Sequence, residues 1–253
     1  MSLKGKQIKG FEAKRQHLAE IKAAKKRKRG QPNFGDTEPS KSEKKSFLII
    51  CEGQNTEPDY FNQFKLSTAE IVTIGLGDNT FSLVQRSIQI KNTMMQQGKS
   101  FDFVWCVFDA DPKPDNPKQL TNFINAINFA KSNGIEVAYS NQAFEYWLLL
   151  HFDDHQGGAM DRKDYHDKIN SHLRPLGCYY DSKKSKKIES DFFEHMLVVV
   201  DKTYDNQLVT RQDKAIQRAK RILNWHEGNC TSPEKAESST TIFKLIEAFR
   251  EYV

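Results

Sequence analysis

The sequence predicts an α/β fold, a parallel sheet of about four strands with helices on both faces. Three observations carry that expectation. Uninterrupted apolar runs of strand length recur at 47–51 and 103–108, as strands buried on both faces require. Stretches with apolar residues at helical intervals alternate with these runs, the order that right-handed crossovers give in a parallel sheet. Acidic residues follow two of the runs directly, Glu52 after the first and Asp109-Ala110-Asp111 at the end of the second, where open α/β sheets bind ligands.

Each element has its own signals. The run 47–51 is too short for a helix and stops at Glu52-Gly53, so it reads as a buried first strand. Residues 57–64 form a short first helix with Thr56 as its N-cap, Pro58 in the first turn and Phe61 and Phe64 on one face. Residues 69–74 make a β-branched second strand closed by Gly75 and Gly77, and Phe81, Val84, Ile88 and Met95 mark a helix over 80–98. Residues 103–108 are the third strand, followed by a loop bearing Pro112, Pro114 and Pro117. Leu120, Phe123, Ile124, Ile127 and Ala130 then mark a third helix ending at Gly134, and 135–139 is the fourth strand. From Glu145 onward the pattern turns helical, at 146–152, 165–173, 192–200, 213–226 and 240–252. The chain thus divides into an arm and linker at 1–45, an α/β core at 46–155 and a helical region at 156–253 packed on that core. No repeat of solenoid period is present.

Charge is unevenly distributed. Residues 1–46 hold 14 Lys+Arg against 5 Asp+Glu, whereas the other 207 residues hold 24 against 28. Lys25, Lys26, Arg27, Lys28 and Arg29 lie in a segment too poor in aromatic and β-branched residues to bury a core. The arm is therefore expected to be flexible, either a tether for nucleic-acid phosphates or a solubility tail. Lys183 and Lys184 open a second basic run with the same two readings, phosphate contact or solvated loop. No apolar run approaches the roughly 20 residues of a membrane helix, and the N-terminal residues lack an apolar secretory core. A cytoplasmic protein is expected. Cys51, Cys106, Cys178 and Cys230 form no C-x-x-C pair, which argues against a zinc site and a disulfide scaffold.

Adjacent strand ends bring Glu52 together with Asp109 and Asp111, and alternate residues of an extended segment project to one side, so the D-x-D pair can share a hard cation. Mg²⁺ is the expected ion, with Mn²⁺ as its substitute, because it takes a few carboxylates together with waters and substrate phosphates. The chemistry such a site supports is phosphodiester hydrolysis, with Glu52 completing a second metal site or acting as general base. Solvated loop acids are the competing reading. No G-x-x-x-x-G-K-[ST] loop and no G-x-S-x-G turn occurs, which disfavours nucleotide phosphoryl transfer and serine hydrolase chemistry.

The ordered motifs Phe47-Leu48-Ile49-Ile50-Cys51-Glu52-Gly53, Thr56-Glu57-Pro58, Tyr60-Phe61, Val107-Phe108-Asp109-Ala110-Asp111 and Phe144-Glu145-Tyr146-Trp147-Leu148-Leu149-Leu150-His151-Phe152 resemble the RloB family of bacterial phage-defence proteins. The resemblance covers most of 45–153 and the basic arm. It implies a Toprim-like sheet, a nuclease-like activity in an abortive-infection system and cooperation with a separately encoded ATPase. The family commonly carries Pro before Phe-Glu, where this chain has Gln142-Ala143. Within the motifs, Glu145 is either an orienter of a second metal or an acid complementing a helix N-terminus, and Glu57 is either a neighbour of the site or a first-turn acid. His151 is six residues from Glu145, beyond the reach of an i, i+4 pair, and is either catalytic or packed among Trp147, Leu148 and Phe152. The competing function is a non-catalytic regulatory subunit that binds nucleic acid and an ATPase partner.

Overall fold

The alternation of side chains along the first strand assigns the layers of the fold. In β1 (Lys45–Cys51), Phe47, Ile49 and Cys51 enter one core cluster while Leu48 and Ile50 enter the other, as the two-residue period of a strand dictates. The structure, a computed structural model, describes residues 44–112, 116, 118–155 and 158–253, and the chain from Lys44 to Val253 is one compact unit. The basic run Lys25, Lys26, Arg27, Lys28 and Arg29, the linker that follows it, and Pro114 and Pro117 lie outside the described residues.

After β1 come α1 (Thr56–Asn62), β2 (Ala69–Gly75), α2 (Thr80–Gln96), β3 (Phe103–Asp109), α3 (Lys118–Ser132) and β4 (Glu136–Asn141). The four strands pair in parallel in the order β2-β1-β3-β4. This is the expected four-stranded parallel sheet, with β1 and β3 adjacent and Cys51 in register with Val107. Helices α2 and α3 cover one face, through Leu83, Val84, Phe123, Ala126, Ile127 and Ala130. The N-cap of α2 is Asn79, whose side chain accepts the Ser82 N–H at 3.1 Å. Thr56, expected to cap α1, is instead its first residue. Its hydroxyl donates to the Lys186 carbonyl at 2.9 Å, so tertiary packing takes the group that local capping would use.

The rest of the chain covers the other face. Its elements are α4 (Glu145–Leu150), α5 (Arg162–Leu173), α6 (Ser190–Met196), β5 (Val199–Lys202), β6 (Leu208–Thr210), α7 (Arg211–Gly228), β7 (Ser239–Thr240) and α8 (Ile242–Arg250). Helix α4 is buried at all six positions. Helix α7 begins with a capping box in which Thr210 and Asp213 satisfy each other's backbone N–H. Helix α8 buries Ile242, Phe243, Leu245, Ile246 and Phe249. Phe249 meets Phe47 of β1 edge-on at 5.1 Å, so the last helix closes the core opened by the first strand. Removing a buried Phe of this kind costs about 3–5 kcal/mol.

Two parts of the helical region are extended instead. Residues 197–200, read in the sequence as the end of a helix, lie beyond α6, and Val199 and Val200 open β5, which pairs with β6; three consecutive valines prefer extended backbone, and Asn206 turns the hairpin at φ 64°. Ser239 and Thr240 pair antiparallel with Asn141 and Ser140 and add a fifth strand to the sheet. Thr240 finds a buried partner there, its Oγ1 lying 2.9 Å from Ser140 Oγ. No helix among the described residues is long and apolar enough to cross a membrane.

Candidate active site

The carboxyl ends of the parallel strands open into a cleft of about 450 Å³ lined by six carboxylates, Glu52, Glu57, Asp78, Asp109, Asp111 and Glu145. Glu52 follows β1, and its backbone N–H continues the ladder to the Val107 carbonyl at 2.9 Å. Its Oε2 accepts the Asp109 backbone N–H at 3.2 Å, with Thr80 Oγ1 of α2 at 3.5 Å. Glu57, in the first turn of α1, turns back so that Oε1 accepts the Gly53 N–H at 3.2 Å. A side chain at Gly53 would collide with the Glu57 carboxylate, and a Cβ at Gly75 would stand 2.7 Å from Gln54 Cα. The loop after β1 therefore lies against its neighbours only because both positions are glycine.

Asp109 ends β3 and is buried, whereas Asp111 is half-buried and sits at φ 39°, a left-handed conformation that Asp tolerates better than most residues. The Asp111 N–H donates to the Gln142 carbonyl at 3.0 Å, and its Oδ1 pairs with Arg162 Nη1 at 2.8 Å. Glu145, the buried first residue of α4, accepts the Tyr180 hydroxyl on Oε1 at 3.1 Å. Tyr180 is anchored by Asn170, which accepts its N–H and donates to its carbonyl, each at 2.9 Å.

Burial and mutual repulsion govern the charge. Burial pushes the Glu52 carboxyl up to about 7; the Asp109 N–H works against that shift, while Glu57 and Asp111 add to it. Burial also raises Glu57 to about 7, with Glu145 contributing repulsion. Asp109 is held well above the ordinary carboxylate range by burial and by Glu57. Arg162 is driven the opposite way by burial, yet Asp109, Glu145 and Asp111 together hold its guanidinium above its ordinary value. Such a cluster favours either protons or a cation. Among the described residues, no group of three or more His, Cys, Asp or Glu is placed to hold a metal ion as it stands. The donors are all carboxylate oxygens, which fit a hard cation such as Mg²⁺ by type, and Arg162 already sits on one of them.

The structure brings Glu52, Glu57, Asp109, Asp111 and Glu145 together and leaves His151 apart. His151 is 1 % exposed, its Nδ1 lies 3.0 Å from the Trp147 carbonyl and its ring packs edge-on against Trp147 at 4.8 Å. Burial lowers its pKa to about 3, so it stays neutral in the core. Lys183 and Lys184 are exposed, with both amides donating to Asp181 Oδ1, and of the second basic run it is Lys186 that lines the cleft. Arg162, Tyr180 and Lys186 were not singled out from the sequence. The only local signal for Arg162 is Asp161, which caps α5 by accepting the Lys163 N–H and so sets Arg162 in its first turn.

A family model described as RloB-like protein matches residues 47–249. No curated protein and no solved structure matches the chain.

Proposed function

Because the chain belongs to the RloB-like protein family, we propose that the cleft is the active site of a Mg²⁺-dependent nuclease of a bacterial anti-phage system, hydrolysing phosphodiester bonds in DNA or RNA. The observation that supports this most directly is the convergence of six carboxylates on one cleft at the carboxyl ends of the parallel strands. Asp109, Asp111 and Glu52 would hold the cation, with Mn²⁺ able to replace Mg²⁺. When bound, it supplies charge for the phosphate and lowers the pKa of a coordinated water. Glu57, near 7 in the metal-free cleft, suits proton transfer at neutral pH. Arg162 and Lys186, on the cleft wall, suit contact with phosphate oxygens. Lys25, Lys26, Arg27, Lys28 and Arg29 would add sequence-independent affinity for the polymer.

A second reading has one observation in its favour. The Asp111 carboxylate is paired with Arg162, which also suits a regulatory subunit that keeps the fold, binds nucleic acid and acts through a separately encoded ATPase. Incubating the purified full chain with labelled DNA and RNA pools in Mg²⁺, Mn²⁺ or EDTA tests the first reading. Cleavage that EDTA and Asp109→Asn both abolish supports it. Intact pools under every condition, with nucleic acid still bound, would favour the regulatory subunit.

A further inference from the structure

We propose that Arg162 is a partner-exchanging counter-ion, neutralising Asp111 while the cleft holds no divalent cation and turning to a substrate phosphate once one is held. The proposal rests on the reading of these acids as a cation site. Its basis is that the pair is built from both ends on a single residue. The Gln142 carbonyl accepts the Asp111 N–H at 3.0 Å, and the Gln142 side-chain Oε1 accepts the Arg162 N–H at 3.1 Å. Gln142 itself is held by Glu237, whose Oε2 accepts from its Nε2 at 3.3 Å. The two backbones are therefore fixed relative to each other, and motion is left to the Arg162 side chain, which is 44 % exposed. A half-exposed ion pair is weak and easily exchanged.

The chemistry of the guanidinium suits both partners. Its planar fork fits a carboxylate and a phosphate equally well, and it keeps its charge throughout. A divalent cation on Asp111 would repel Arg162 and neutralise the acid that holds it, freeing the fork where the phosphate would enter. Two further acids, Asp109 and Glu145, act on the Arg162 charge. All three line the same cleft, so Arg162 has acidic neighbours there besides Asp111.

The test is Mn²⁺ binding to the full-length protein, followed by the electron paramagnetic resonance of free Mn²⁺, together with anisotropy of a labelled oligonucleotide in Ca²⁺. Arg162→Gln should bind Mn²⁺ about two- to fivefold more tightly than wild type, the factor expected when a half-exposed competing pair is removed. It should bind the oligonucleotide at least about tenfold more weakly, as loss of a charge-assisted fork implies. Arg162→Lys keeps the charge and serves if the Gln variant does not fold; it should show wild-type Mn²⁺ affinity with weaker oligonucleotide binding. Equal Mn²⁺ and oligonucleotide affinities in wild type and variant would make Arg162 a static structural partner and overturn the proposal. Absence of Mn²⁺ binding from wild type and variants alike would remove the cation site itself, a distinct result that also ends the proposal.

Discussion

The Glu52 carboxylate accepts the Asp109 backbone N–H at 3.2 Å, so a side chain at the end of β1 is fastened to the main chain at the end of β3. The bond orients Glu52 beside the D-x-D acids and depends on an acceptor oxygen, which an amide also has. At pH 5, where burial keeps Glu52 protonated, Glu52→Gln should therefore fold with a stability within about 1 kcal/mol of wild type, while any cleavage at neutral pH falls by about 100-fold or more. Thermal unfolding in EDTA and a nuclease assay measure the two. A large stability loss with cleavage retained would make Glu52 structural.

Tyr180 reaches Glu145 from the loop after α5, donating its hydroxyl to that carboxylate with Thr56 Oγ1 3.4 Å away. Tyr180→Phe keeps the packing against Phe192 but leaves a buried carboxylate without that donor. The expected cost is about 1–3 kcal/mol, read as a lowered denaturation midpoint in urea. If Glu145 takes part in catalysis, activity should fall more than occupancy of the folded state explains. An unaltered midpoint would show that Glu145 finds another donor.

How much of the fold and site is legible in the sequence depends on the range of the interaction. The run Phe47 to Cys51 reads as a doubly covered strand because its composition is a local record of burial on both faces. Glu52, Asp109 and Asp111 are legible for a related reason, since the strand ends carry them and adjacent strands in a parallel sheet align those ends. Arg162 and Tyr180 are not, because tertiary packing brings them to Asp111 and Glu145 from a helix and a loop whose own pattern records only local structure. Ser239 and Thr240 form too short and too polar a strand to leave a periodic signal. The helical reading of 197–200 fails where β-branched preference overrides the spacing of apolar residues.

The basic arm gives a prediction that is independent of chemistry. Deleting residues 1–43, which precede the compact unit, removes Lys25 to Arg29 and should weaken nucleic-acid binding while flattening its salt dependence. For every phosphate that the shortened chain no longer neutralises, the slope of log K against log salt should become shallower by about 0.7–0.9. Affinity titrations at several salt concentrations check this. Identical slopes for the full and shortened chains would make the arm a solubility tail.

The last prediction follows from the sign of the charge perturbations. Glu57 is held at about 7 in the fold against 4.5 ordinarily, so between those values the folded chain binds more protons than the unfolded one. Unfolding free energy must then fall as pH rises through that window, and Glu52 and Asp109 act in the same direction. His151 acts oppositely: with its folded pKa near 3 against 6.5, stability is lost as pH drops from 6.5 towards 3. Three acids outweigh one histidine above about pH 5, so the metal-free protein should lose stability steadily from pH 5 to pH 8. Glu57→Gln removes one acidic contribution and should narrow the stability difference between pH 5 and pH 8 by up to about 3 kcal/mol, measured by urea unfolding in EDTA. Mg²⁺ added to the wild type at pH 8 should recover much of the loss, because a cation on the cleft favours the ionised acids. A wild type whose stability does not change between pH 5 and pH 8, with or without Mg²⁺, would mean that these carboxylates are solvated and have no cation to share.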